Sequence, residues 1–66
     1  MKISKGDILI NKHGKKFKYL GKCNDPVLLF NGFKYLLLEG GTRQKIVVSN
    51  AWRKEQELKL FKKRSV

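Results

Sequence analysis

Lysine recurs at positions 2, 5, 12, 15, 16, 18 and 22 in the first third of the chain, and Arg53, Lys54, Lys59, Lys62, Lys63 and Arg64 crowd its last quarter. Cationic side chains at this density do one kind of chemistry well. Each one that neutralises a phosphate releases condensed counterions, giving sequence-independent affinity that falls steeply with salt. Sixteen Lys and Arg against five Asp and Glu leave a formal charge of +11. That is more than solubility requires, and it sets the folded chain against itself through self-repulsion that a polyanion would relieve. Only Arg43, Arg53 and Arg64 offer the planar fork that reads base edges, so the composition favours recognition of backbone or shape.

Aromatic residues lie among these lysines. Phe17 and Tyr19 alternate with Lys16 and Lys18, and aromatic rings beside cations can stack on unpaired bases. A core this small claims its aromatics, so Phe17, Phe30 and Phe33 are expected inside. Tyr19 and Tyr35 are expected at the surface, because the phenol hydroxyl prefers a wet or hydrogen-bonded end. Trp52 either closes one end of the core or anchors a protein interface.

Catalysis finds no machinery in these residue types. His13 sits in a lysine-rich turn with no second His or neighbouring carboxylate, Cys23 has no nearby His, and the acids Asp7, Asp25, Glu39, Glu55 and Glu57 form no pair with acid–base spacing. Gly40-Gly41-Thr42 is too short for a phosphate-binding loop, which also needs a Lys-Ser/Thr opening a helix. Asp7 is expected to make a local turn hydrogen bond after Gly6. We therefore expect no catalytic residue, no metal ligand and no cofactor. A single cysteine excludes an intramolecular disulfide and suits a reducing, cytoplasmic setting. No apolar run reaches signal-peptide or membrane-span length.

The elements that must position the lysines follow from periodicity. Sixty-six residues make one domain with a thin core. Asp7 to Asn11 predicts a first strand, Lys12-His13-Gly14-Lys15 a turn, and the alternation of Phe17 and Tyr19 with Lys16 and Lys18 a half-buried second strand. Gly21 to Pro26 is a loop. Asn31-Gly32 between Val27–Phe30 and Phe33–Leu38 predicts a type I′ hairpin. Such a hairpin would be apolar on both faces, calling for a second buried surface: the C-terminal turn and strand, or a second copy in a two-fold homodimer. Gly40-Gly41-Thr42 turns the chain into a strand from Arg43 to Val48. Ser49 or Asn50 caps a helical turn near Ala51–Glu55, and Leu58 and Leu60 alternate with Glu57 and Lys59 in a last strand. Residues 1–61 form the domain and 62–66 a basic tail.

Five to six short antiparallel strands, with one helical turn before the last, make an all-β domain that resembles the SH3-like barrels. The opening Lys5-Gly6-Asp7-Ile8-Leu9-Ile10 is similar to the start of KOW-type nucleic-acid-binding modules. Phe17 stands where those modules carry a glycine, and the paired tryptophan and proline residues of a peptide-binding SH3 groove are absent. The resemblance implies pairing of first and last strands, which would join the two basic segments into one surface with the apolar hairpin elsewhere. The expected function is non-catalytic nucleic-acid binding, RNA or single-stranded DNA before duplex because no recognition helix is evident. Lys15, Lys16, Lys18, Arg53, Lys54, Lys59, Lys62, Lys63 and Arg64 would contact phosphates, with Tyr19 beside them. The competing expectation is an adaptor or inhibitor docking on an acidic protein through Leu36, Leu38 and Trp52, with the lysines steering. Attraction to anionic lipid is disfavoured because no helix offers a clean apolar face.

Overall fold

Phe17 and Tyr19 are buried while Lys16 and Lys18 are exposed, so the second strand divides the molecule into an inner and an outer face. The computed structural model describes residues 3–63. The strands are β1 (Ile8–Ile10), β2 (Lys16–Lys22), β3 (Phe33–Glu39), β4 (Lys45–Ser49) and β5 (Lys59–Lys62), with short helices α1 (Pro26–Phe30) before β3 and α2 (Asn50–Glu55) before β5. They make one five-stranded sheet in the order β4-β3-β2-β1-β5, antiparallel throughout. The expected all-β domain with a helical turn before its last strand is thus present. Among the described residues the pairing runs from β4 to β5 without a rung joining those two edges.

The inner face carries the core. Leu9, Phe17, Tyr19, Leu37, Val48 and Leu58 are buried together, and Ile3, Tyr35, Ile46 and Trp52 pack on them. The register explains the grouping, because residues opposite each other share a face: Leu9 faces Phe17, Tyr19 faces Leu37, and Leu37 faces Ile46. Trp52 on α2 meets Phe17 edge-on, with centroids 5.6 Å apart, so it closes one end of the core. Asp7 is buried and its Oδ2 accepts the Ser4 N–H at 2.9 Å, the local turn bond expected of it.

Two expectations about the middle of the chain are corrected. Val27–Phe30 is helix α1 and not the first arm of a hairpin; β3 pairs with β2 and β4 instead. Asp25 is its N-cap, accepting the Val27 N–H at 2.9 Å, and Pro26 stands at the helix start, where its missing N–H costs nothing. Asn31 caps the other end and Gly32 follows at φ 88°. Asn-Gly therefore stops a helix here, an arrangement that needs positive φ as much as a type I′ turn does. In place of that hairpin's second face, helix α1 leaves Val27, Leu29 and Phe30 exposed. Phe30 and Phe33, expected in the core, are 91% and 38% exposed.

The remaining connections follow the residue chemistry closely. Ser49 Oγ accepts the Trp52 N–H at 3.2 Å and caps α2. The helix ends with Glu57 at φ 53° and the Leu58 N–H donating to the Arg53 carbonyl at 3.1 Å, which swings Leu58 into the core. Gly40 donates its N–H to the Lys16 carbonyl at 2.9 Å, and a Cβ there would lie 2.7 Å from that oxygen; only glycine permits this approach. The strand expected from Arg43 begins at Lys45 because Arg43 sits in the turn at φ 59°. Lys62 belongs to β5 and not to the tail.

Candidate nucleic-acid interface

The outer face is built from the residues that alternate with the core. Following the register across the sheet, Lys45 on β4 lies opposite Leu38 on β3, Leu38 opposite Lys18 on β2, Lys18 opposite Ile8 on β1, and Ile8 opposite Lys62 on β5. One row thus crosses all five strands as basic, apolar, basic, apolar, basic. A second row runs from Lys16 through Ile10 to Lys59. Lysines in a row stand two strands apart, about 9–10 Å, while Lys16 and Lys18 are separated along β2 by about 6.7 Å. No described carboxylate is paired with any of these five ammonium groups.

A shift in the β1–β5 register falls between Ile8 and Leu9, opposite Leu60 and Lys62. Phe61 is the extra residue of this bulge, which re-aims side chains at a sheet edge. The residue is 51% exposed, and its ring lies under the Lys16 ammonium, 4.5 Å from nitrogen to centroid. Phe61 and Lys62 line a shallow groove of about 440 Å³ together with Ile8, Lys16, Lys18 and Leu38 of the sheet and Gly40, Gly41 and Arg43 of the β3–β4 turn. Glu39 is the one carboxylate in that lining, and its Oε1 is bonded to the Lys15 ammonium.

Of the residues expected to contact phosphate, the structure brings Lys16, Lys18, Lys59 and Lys62 onto this face. Lys63 follows β5 and is exposed, and Arg64 lies outside the described residues. Lys15 is turned toward Glu39 and the Phe17 ring, 5.9 Å from its centroid, so its charge is already answered. Arg53 and Lys54 are on α2, the helix whose Trp52 covers the core. The Arg53 guanidinium lies 5.1 Å from the Tyr35 centroid, and the Tyr35 hydroxyl donates to Asn50 Oδ1 at 2.9 Å.

Tyr19 is corrected outright. It is 6% exposed on the inner face, where burial first and the neighbouring Tyr35 second raise its phenol above the ordinary 10.0, and no base can reach it. The expected protein-interface residues are also redistributed. Leu36 and Leu38 are half-buried, and Leu38 stands between two lysines instead of on a separate apolar surface. Trp52 is half-buried against Phe17.

Sequence reasoning placed neither Lys45 nor Phe61 in the site, and named Arg43 only as one of three arginine forks. Lys45 was legible in part, since it shares the phase of Val47 and opposes that of buried Val48. Leu60 and Phe61 are adjacent, so a regular strand must send one outward; which one depends on the bulge. Among the described residues no three His, Cys, Asp or Glu side chains cluster at metal-binding distance, and no helix is long and apolar enough to cross a membrane. Comparison with family models, curated proteins and solved structures returned no match.

Proposed function

We propose that this chain is a non-catalytic nucleic-acid-binding module that holds phosphates on the outer face of its sheet. The observation that carries the reading is the row Lys45–Leu38–Lys18–Ile8–Lys62, with Lys16–Ile10–Lys59 beside it. Cations that no described carboxylate neutralises, set on one face with apolar residues between them, suit a polyanion that also presents apolar surface, as nucleic acid does. The pairing of β1 with both β2 and β5, and α2 immediately ahead of β5, support kinship with the SH3-like barrels and with the KOW-like opening. The cytoplasm, where Cys23 stays reduced, is the compartment this reading implies.

The test is a titration with labelled single-stranded RNA, single-stranded DNA and duplex DNA at two salt concentrations, beside a variant carrying Lys16→Glu, Lys18→Glu, Lys59→Glu and Lys62→Glu. Wild-type affinity should fall with salt, each phosphate contact adding about 0.7 to the logarithmic slope on a single strand or about 0.9 on a duplex. The variant should lose most of its binding while keeping its fold. Absence of binding at low salt sinks the reading.

One observation favours a second reading, docking on an acidic protein. Val27 is 68% and Phe30 91% exposed on α1, an apolar surface in a stretch, residues 23–33, with no lysine or arginine. That reading predicts loss of a purified acidic partner on Phe30→Ser and no effect of this change on oligonucleotide binding.

A further inference from the structure

The lysine rows account for phosphate affinity but not for Phe61. An aromatic ring half open to solvent on an edge strand, at a bulge that directs it into a groove, does nothing for a ligand that offers phosphates alone. Within that groove, Lys16 sits over the ring at 4.5 Å, Lys62 adjoins it in sequence, and Lys18 and Arg43 also line it. A stacking surface and four cations are therefore gathered where a short single strand could engage them together. Ile8 and Leu38, on either side of Lys18, add apolar surface to the groove that suits a flat, weakly hydrated group. The groove, at about 440 Å³, falls within the roughly 300–1,000 Å³ range of ligand clefts.

We infer that Phe61 is a base-stacking platform, and that the ligand class of this site is single-stranded nucleic acid. The inference rests on the nucleic-acid reading above and sharpens it. In a duplex the bases are already stacked on one another, and only the backbone would meet the sheet. An unpaired base can lie against the Phe61 ring while the phosphates of the strand meet Lys16, Lys18, Lys62 and Arg43 along the groove. The helices support the same assignment: α2 has six residues and α1 five, too short to serve as the groove-entering element of a duplex reader.

Phe61→Ala, Phe61→Leu and Phe61→Trp are compared with the wild type, using labelled single-stranded RNA and DNA and a duplex DNA of equal length at two salt concentrations; circular dichroism confirms the fold of each. Loss of an aromatic stack should weaken single-strand binding roughly 5- to 150-fold in the Ala variant. Duplex binding and the salt slope should not move, because no charge is removed. Leu should behave like Ala, since it fills apolar space without offering a π-face, and Trp should bind at least as tightly as Phe. The RNA and DNA arms show which strand is preferred. Equal losses on single strand and duplex, or wild-type affinity in the Leu variant, overturn the inference. If the charge-reversed variant fails to bind while all Phe61 variants bind normally, stacking alone is refuted; a wild type that binds none of the oligonucleotides refutes both readings.

Discussion

Arg43 occupies the left-handed backbone region at φ 59°, in a turn closed by its own N–H donating to the Glu39 carbonyl at 2.9 Å and by Glu39 donating to Gln44 at 2.8 Å. Glycine is the usual resident of such a position, because a Cβ there crowds the following carbonyl. The chain keeps an arginine, and that arginine lines the groove beside Phe61 and Lys62. Arg43→Gly should therefore separate stability from binding. It should raise the unfolding free energy by about 0.5–1 kcal/mol, read from urea denaturation. It should also lower single-strand affinity and cut the logarithmic salt slope by about 0.7. A variant that is less stable would show that the turn carries no strain at this residue, and an unchanged slope would remove Arg43 from the site.

At the scale of elements, the β1–β2 turn and the end of α2 are tied together by a residue the sequence pattern did not single out. Asn11 is buried; its Oδ1 accepts the His13 and Lys15 N–H groups at 3.0 and 2.8 Å, and its Nδ2 donates to Gln56 Oε1 at 3.1 Å. The Lys12 N–H donates to the Gln56 carbonyl at 2.9 Å alongside. Asn11→Ala leaves partly buried donors without their acceptor and should cost about 1–3 kcal/mol in chemical denaturation. A loss no larger than that of an exposed substitution would mean that water replaces the amide freely. The turn itself was legible from Lys12-His13-Gly14-Lys15, as was the Ser49 cap. Helix α1 was not, because a short apolar run such as Val27–Phe30 fits a strand and a helix equally well. Asp25-Pro26 and Asn31-Gly32 serve as helix caps or as turns, and the choice fell to the pairing of β3 with β2 and β4.

At the scale of the molecule, the whole chain carries a formal charge of +11, and its described residues span Cα extents of only 30 × 27 × 25 Å. At about 0.01 M ionic strength the Debye length is about 30 Å, so every cation feels every other; at about 0.15 M it is about 8 Å, less than the spacing between lysines two strands apart. Raising salt over that range should stabilise the fold. If the relieved repulsion amounts to about 1 kcal/mol, Tm rises by about 4–8 °C for a domain of this size, measured by thermal denaturation monitored by circular dichroism. The Lys16, Lys18, Lys59, Lys62 charge-reversed variant should show a much smaller rise. A flat or falling Tm in the wild type would mean that the cations are spaced widely enough not to interact. Binding and folding should thus respond to salt in opposite directions, since screening that eases the free protein weakens its hold on phosphate.

The amino-acid sequence alone determined the sign and excess of charge, the all-β character, the inward Phe17 and outward Lys16 and Lys18, and the helical turn before the last strand. These follow from composition and from periods of two residues, which are local properties of the chain. Tertiary structure decided which lysines are neighbours. Lys18, Lys45 and Lys62 are far apart in sequence and share a row only because β2, β4 and β5 take alternate places in one sheet. Lys15 and Arg53 were diverted, one to Glu39 and the other to Tyr35. Phe61 faces the groove because a one-residue shift between β1 and β5 reverses which side chain points outward, and register is set by pairing between distant segments.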